Sequence, residues 1–212
     1  MRLETVDDLR THYREPGGGA VAKVIPILDH NCVAFLARCP FFVLSTADAD
    51  GVCDASPKGG TPGFVRALDE RHLAWADLSG NNRLDSFENL VSNPRVGILF
   101  MIPGMDETLR VNGTAEIRTD PDLCDVFAVD GRTAGVVVVV TVEEAYIHCA
   151  KALRRSALWS PDAWPDLEGL PTAGCMLREH ADIDAEGSVI DAALDEDAKA
   201  TLWRPGGAEA PA

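Results

Sequence analysis

The sequence predicts a mainly β fold of the α+β class: an antiparallel barrel with helices at its periphery. Three observations predict it. Short segments of strand-like composition follow one another from residue 41 to residue 149, some joined by hairpin signals. Only two short helical segments interrupt them. The β-α-β-α order of a doubly wound parallel sheet is missing, which leaves a barrel as the way to bury so many short strands.

Residues 3–13 and 20–38 carry helical periodicity, with Pro26 as a break inside the second run and Pro40 as its end. FFVLSTA (41–47) reads as a strand, the Asp-Gly of DADG (48–51) as a hairpin turn and VCDAS (52–56) as the return strand. PKGGTPG (57–63) is too rich in Gly and Pro for regular structure and is expected to be a loop. GFVRAL (63–68) and HLAWADL (72–78) form another hairpin. After SGNN (79–82), RLDSFENLVSN (83–93) reads as an amphipathic helix ended by Pro94. RVGILFMI (95–102) is a buried strand and TLRVNGTAEIRT (108–119) an alternating one. PDLCDVFAV (121–129) is a short helix opened by Pro. VVVVVTVEEAYIHC (136–149) is the longest strand, and AKALRRSALW (150–159) a helix. This divides the chain into residues 1–160, a barrel domain with N-terminal helices, and 161–212, a C-terminal extension. In the extension, residues 160–174 read as loop, 182–203 as an acidic helix that packs on the barrel or on a dimer, and 206–212 as a frayed end.

The chain has 212 residues, 46% of them hydrophobic and 25% charged, the composition of a globular protein with a real core. Its 34 acidic and 19 basic residues give a formal net charge of −15. Such a chain is repelled by a nucleic-acid backbone and by an anionic membrane surface, so neither is expected as a partner. No stretch approaches the ~20 apolar residues of a membrane-spanning helix. The charged N-terminus lacks a signal peptide's apolar core, so a cytoplasmic protein is expected.

Several chemistries are excluded by pattern. The phosphate loop G-x-x-x-x-G-K-[ST], the zinc motif H-E-x-x-H and the nucleophile elbow G-x-S-x-G are absent. Gly17-Gly18-Gly19 opens a formal G-x-G-x-x-A, but it follows THYREP rather than a strand and fails the dinucleotide context. The six cysteines show no C-x-x-C, the five histidines are scattered, and no metal site is expected. The cysteines read as reduced, small core residues.

Three stretches do carry chemistry. In Ser56-Pro57-Lys58-Gly59-Gly60-Thr61-Pro62-Gly63, a glycine-rich segment after a strand exposes main-chain N–H groups beside a cation, or else is a surface loop with a solvated lysine. In Gly80-Asn81-Asn82-Arg83-Leu84-Asp85-Ser86-Phe87-Glu88-Asn89-Leu90, a polar turn leads into a helix whose N-terminus, with Arg83 and Ser86, suits a phosphate; the plain alternative is an Asn cap with Arg83 in water. In His148-Cys149-Ala150-Lys151-Ala152-Leu153-Arg154-Arg155-Ser156, Lys151 and Arg155 share a helix face with no acid among them, either for an anionic ligand or for solvent.

Taken in order, FFVLSTADADG, DASPKGGTPGFV, WADLSGNNRLDSFENLVSNPRVGILF, ETLRVNGTAEI and YIHCAKALRRSALW resemble the pyridoxamine 5′-phosphate oxidase-like, FMN-binding split-barrel flavoproteins, over about residues 30–160. The resemblance implies a six-stranded split β-barrel and a homodimer with FMN at its interface. It implies that Ser56, Pro57 and Lys58 border the flavin ring and ribityl chain. Asn81, Asn82, Arg83, Ser86 and Asn89 would hold the phosphate and ribityl end, and Lys151, Arg155 and Ser156 would reach the site across the dimer. It further implies an FMN-dependent oxidoreductase acting on a small organic substrate, with Lys58 favouring negative charge on the flavin. Related readings are a flavin- or haem-binding sensor without catalysis and an F420-dependent reductase. Arg178-Glu179-His180 has the bare arginine–x–histidine spacing with which the true oxidases hold their vitamin B6 substrate, but the surrounding signature is missing, so that substrate is not implied.

Overall fold

The computed structural model describes residues 2–207. Three helices come first: α1 (Val6–His12), α2 (Gly18–Ala22) and α3 (His30–Leu36). The long helical run expected over 20–38 is thus divided. Pro26 forces Ile25 into an extended conformation, and Ile25 uses it to exchange main-chain hydrogen bonds with Ala145, at 3.1 and 2.8 Å. The chain restarts as α3 where the Asp29 carboxylate accepts from the Cys32 N–H at 2.8 Å.

The strands are β1 (Phe41–Ala47), β2 (Cys53–Gly59), β3 (Arg66–Ala67), β4 (His72–Ala76), β5 (Arg95–Met101), β6 (Thr108–Arg118) and β7 (Val137–His148). Helix α4 (Asp85–Ser92) lies between β4 and β5, α5 (Pro121–Val126) between β6 and β7, and α6 (Lys151–Ser156) follows β7. The strands form one sheet in the order β2-β1-β5-β6-β7-β4-β3, and every ladder is antiparallel. Among the described residues no ladder joins β2 to β3, so the barrel is split. It has seven strands rather than six; the difference is β3, a two-residue ladder on β4.

The sheet curls because its inner face is apolar. Val138, Val140 and Val142 on β7 pack with Ile98 and Phe100 on β5, Val111 on β6 and Leu44 on β1, all buried. Phe42 closes the curl. β1 and β4 are separated in the sheet by three strands, yet the Phe42 ring meets Trp75 of β4 edge-on, with centroids 4.9 Å apart. Phe42 also contacts Phe100 at 5.1 Å and stacks on Phe64 at 5.6 Å. Between β6 and β7 a bulge at Asn112/Gly113 leaves Glu143 without an opposite residue. Gly113 is required there, since a Cβ would run into the Thr141 carbonyl.

Strand β2 runs three residues past its expected end, through Pro57, Lys58 and Gly59. Proline is tolerated because β2 is an edge strand and Pro57 needs no N–H partner on its open side. Beyond α6 the chain forms a short 3₁₀ turn (Pro161–Ala163), α7 (Ala173–Ala181) and α8 (Gly187–Thr201). The acidic helix is present as α8, whereas α7 has no counterpart in the sequence reading; it is capped by Thr172, whose hydroxyl accepts from the Cys175 N–H at 3.2 Å. Gly206, expected in the frayed end, is buried and its N–H donates to the Asp77 carbonyl at 2.9 Å. Residues 208–212 lie outside the described residues. Among the described residues no helix is long and apolar enough to cross a membrane.

Because Phe42 joins both sides of the barrel, Phe42→Ala is expected to lower the unfolding free energy by about 3–5 kcal/mol, read as a fall in the urea midpoint. A midpoint equal to wild type would show that this ring does not close the barrel.

Candidate functional site

The site begins as a change of side-chain type on one face of one strand. Asp54, Ser56 and Lys58 lie at alternate positions of β2 and pair with Thr46, Leu44 and Phe42 of β1. Opposed residues share a face of a sheet, so the three polar residues continue the buried row of β1 out to the split edge. There the barrel has no further strand, and the row faces a cavity instead.

Helix α4 forms the second wall. The Ser86 hydroxyl donates to the Asp54 carboxylate at 2.6 Å, and the Asn89 amide donates to the buried Thr46 hydroxyl at 3.0 Å. Lys58 reaches toward the same helix, its Nζ 5.7 Å from the centre of the Phe87 ring. The turn into α4 holds Asn82 and Leu84 in left-handed conformations, with φ of 56° and 58°. Asparagine adopts this readily; for a leucine it costs roughly 1–2 kcal/mol.

The third wall is the end of β4 and what crosses it. The Ser79 N–H donates to the Arg204 carbonyl at 2.8 Å, and Leu78 bridges to Pro205. Gly206 lies so close to Asp77 that a Cβ would strike the carboxylate. Burial pushes the Asp77 carboxyl above its ordinary pKa, and the positive charge of Lys58 offsets part of that rise.

Together these walls enclose two adjoining lobes of about 600 Å³ each, which share the segments Ser56–Lys58 and Asp77–Asn81. One lobe extends to the start of α4 at Leu84–Phe87, the other to Gly60, Phe64, Trp75 and Trp203. Trp75 is buried in the floor, and its indole N–H has no acceptor among the described residues. Among the described residues the lining carries three carboxyls, Asp54, Asp77 and Asp85, against one cation, Lys58.

Six of the expected site residues therefore meet on one cavity: Ser56, Pro57, Lys58, Asn81, Asn82 and Ser86. Five do not line it within one chain. Arg83 points outward and forks onto Asp85, at 2.9 and 3.1 Å, in an exposed pair. Asn89 is used on Thr46. Lys151, Arg155 and Ser156 are exposed on α6; the Arg155 and Ser156 side chains donate to the carbonyls of Lys151 and Leu153, both at 3.0 Å. The neighbouring Arg154 pairs with Asp106 at 2.8 Å, an acid that the local sequence does not reveal. Conversely, Asp54, Trp75, Asp77, Trp203 and Gly206 line or shape the cavity and are absent from the sequence-derived set. Asp54 stands two places before Ser56 on a strand, a signal that period-two alternation carries; Trp203 and Gly206 carry no local signal. Arg178 lies on α7 and reaches Glu186 at 3.9 Å, and Arg178, Glu179 and His180 do not line the cavity. Among the described residues no group of His, Cys, Asp and Glu is placed to hold a metal ion.

Asp77 ties the site to pH. Its raised folded-state pKa means the native chain binds the proton more tightly than the unfolded chain. This contribution is full below the unfolded value and is lost as pH rises through the folded one. Asp77→Asn is therefore expected to raise the melting temperature at pH 7 and to change it little near pH 4. An Asn variant no more stable than wild type at pH 7 would show that the carboxylate is not held against its preference.

The chain was compared with known proteins. A family model described as pyridoxamine 5′-phosphate oxidase matches residues 28–149, more than half of the chain. No curated protein matches. Among solved structures, HupZ of Group A Streptococcus is 20% identical, with 56% of this chain and 92% of that chain covered and a TM-score of 0.45. General Stress Protein 26 of Bacillus anthracis is 17% identical over 54% of this chain and 89% of that chain, with a TM-score of 0.42. An FMN-binding protein of Syntrophomonas wolfei is 11% identical over 55% and 87%, with a TM-score of 0.41. The matched span runs from just before α3 to the end of β7 and so takes in every strand of the split barrel; on that ground the chain belongs to the pyridoxamine 5′-phosphate oxidase family.

Proposed function

We propose that this chain binds FMN in the two-lobed cavity and is an oxidoreductase that passes hydride or electrons between a small organic molecule and the flavin. The observation that carries the reading is the meeting of Ser56–Lys58 with Asp77–Asn81 across a cavity that continues to the start of α4. The donor set fits the group. The lobe beside Trp75 offers the Lys58 ammonium and the open edge of β2, which suit the polar rim of a flat ring. The lobe beside α4 offers the amides of Asn81 and Asn82 and the hydroxyls of Ser79 and Ser86, which suit a ribityl chain. FMN, when bound, supplies the redox chemistry; the chain supplies position and electrostatics.

Within that division Lys58 places a positive charge beside the ring lobe and favours negative charge there. Trp75 and Phe64 exclude water from the floor. Asp77 holds a carboxyl that takes up a proton more readily than an exposed aspartate. The phosphate end is short of cations, because Asp54 and Asp85 stand there. Arg83 supplies one by leaving Asp85, and Lys151 and Arg155 of a second copy supply others, in a homodimer whose site is completed by both chains. Exposure of Arg83, Lys151 and Arg155 leaves all three free to move at little cost.

Purified protein titrated with FMN is expected to perturb the flavin's visible spectrum at a saturable stoichiometry; a chain with no FMN affinity would end this reading. Arg83→Ala should weaken FMN binding by more than about 1.5 kcal/mol, or over tenfold in Kd. An unchanged Kd would remove Arg83 from the site.

A further inference from the structure

A second pocket lies against the ring lobe, and no part of the reading above uses it. Its volume is about 410 Å³, within the range of small-molecule sites. It shares with the ring lobe a partition made of Gly60, Phe64, Ala76, Leu78 and Trp203. A molecule in this pocket would lie one side chain away from whatever occupies the lobe.

The lining states what kind of molecule that is. Pro62, Phe64, Phe127 and Trp203 give one part of the lining an apolar, largely aromatic face, and the remainder is polar. At one end is Arg66, the first residue of β3. Its guanidinium carbon lies 5.1 Å from the centre of the Phe127 ring, and its Nη1 donates to the Val126 carbonyl at 2.8 Å. These two contacts fix the plane of the guanidinium while using one of its five N–H groups. Arg66 forms no ion pair among the described residues, unlike Arg83, Arg95, Arg118 and Arg154. A planar, oriented fork with free N–H groups matches a carboxylate, which it can grip with two parallel hydrogen bonds. Asp130 borders the same pocket and opposes any anion there, a phosphate dianion more strongly than a single carboxylate held on Arg66.

We propose that this pocket binds a small aromatic carboxylate, its acid on Arg66 and its ring among Phe64, Phe127 and Trp203. That this ligand is the substrate rests on the FMN reading above; the pocket itself does not. Trp203 is then the residue that sets how far the ligand enters, because it walls both spaces and is carried by the segment that Arg204 and Gly206 fasten to Ser79 and Asp77.

The test is calorimetric titration of the full chain with benzoate, with and without saturating FMN, and with benzamide as the neutral control. Benzoate is expected to bind in both states and benzamide at least tenfold more weakly. Arg66→Met should weaken benzoate at least tenfold while leaving the FMN Kd unchanged, and Arg66→Lys should recover part of the loss. Trp203→Ala should weaken benzoate and benzamide alike. Absence of benzoate binding, or equal affinity in wild type and Arg66→Met, overturns the proposal. Should Arg66→Met fail to fold, equal affinity of wild type for benzoate and benzamide overturns it as well. The two readings separate cleanly. FMN binding without benzoate binding sinks this pocket alone, and benzoate binding without FMN binding sinks the cofactor reading alone.

Discussion

One ring contact sets the geometry of the whole molecule. Phe42 on β1 and Trp75 on β4 belong to strands that never pair, and their edge-to-face contact at 4.9 Å fixes how far the sheet curls. That distance also fixes the gap between what each strand carries outward. Strand β2 hangs on β1 beyond Phe42, and the Asp77–Asn81 segment runs on from β4 beyond Trp75. The cavity is the space these two extensions leave when the rings beneath them touch. Its dimensions are therefore a property of the core, and the polar residues that line it are held by packing some distance below them.

The electrostatics of the cavity differ from a simple positive pocket for an anion. Among the described residues three carboxyls and one ammonium line it, in a chain whose formal charge is already −15. Asp54 is partnered by Ser86 and Asp85 by Arg83, and burial of Asp77 is offset in part by the charge of Lys58 and a hydrogen bond from the Leu78 main chain. The arrangement suits a ligand with a hydrogen-bonding ring and a polyhydroxyl chain, and makes the accommodation of a phosphate depend on side chains that have to move or come from elsewhere. The Arg83–Asp85 pair is exposed and carries little stability of its own, so it can be exchanged for a stronger partner.

The positions of the strands, their two hairpins and most element types were legible in the sequence because they rest on local signals. FFVLSTA, the Asp-Gly turn and the valine run before Thr141 each specify their own conformation. The polar turn SGNN leads into a helix, as its composition indicates, and Asn81, Asn82 and Ser86 line one cavity. What failed did so where distant parts of the chain decide. Pro57 reads as a strand breaker until the strand is known to be at an edge. Gly206 reads as a loose end until Asp77 is known to lie beneath it. Asn89 has a side chain suited to a ligand, but within one chain its amide is held by Thr46, 43 residues away. No pattern within a window of residues reveals that Trp203 shares a pocket with Phe64.

Pro57 has one more effect, on how molecules of this protein can meet. The free side of an edge strand is a template on which another chain can add a strand of its own, and long bare edges promote fibrous association. At the centre of β2, opposite Val43, the proline ring removes the N–H that such a ladder needs, and its bulk stands where the incoming strand would lie. The seam beside the cavity is thereby closed to sheet extension while remaining open to small molecules.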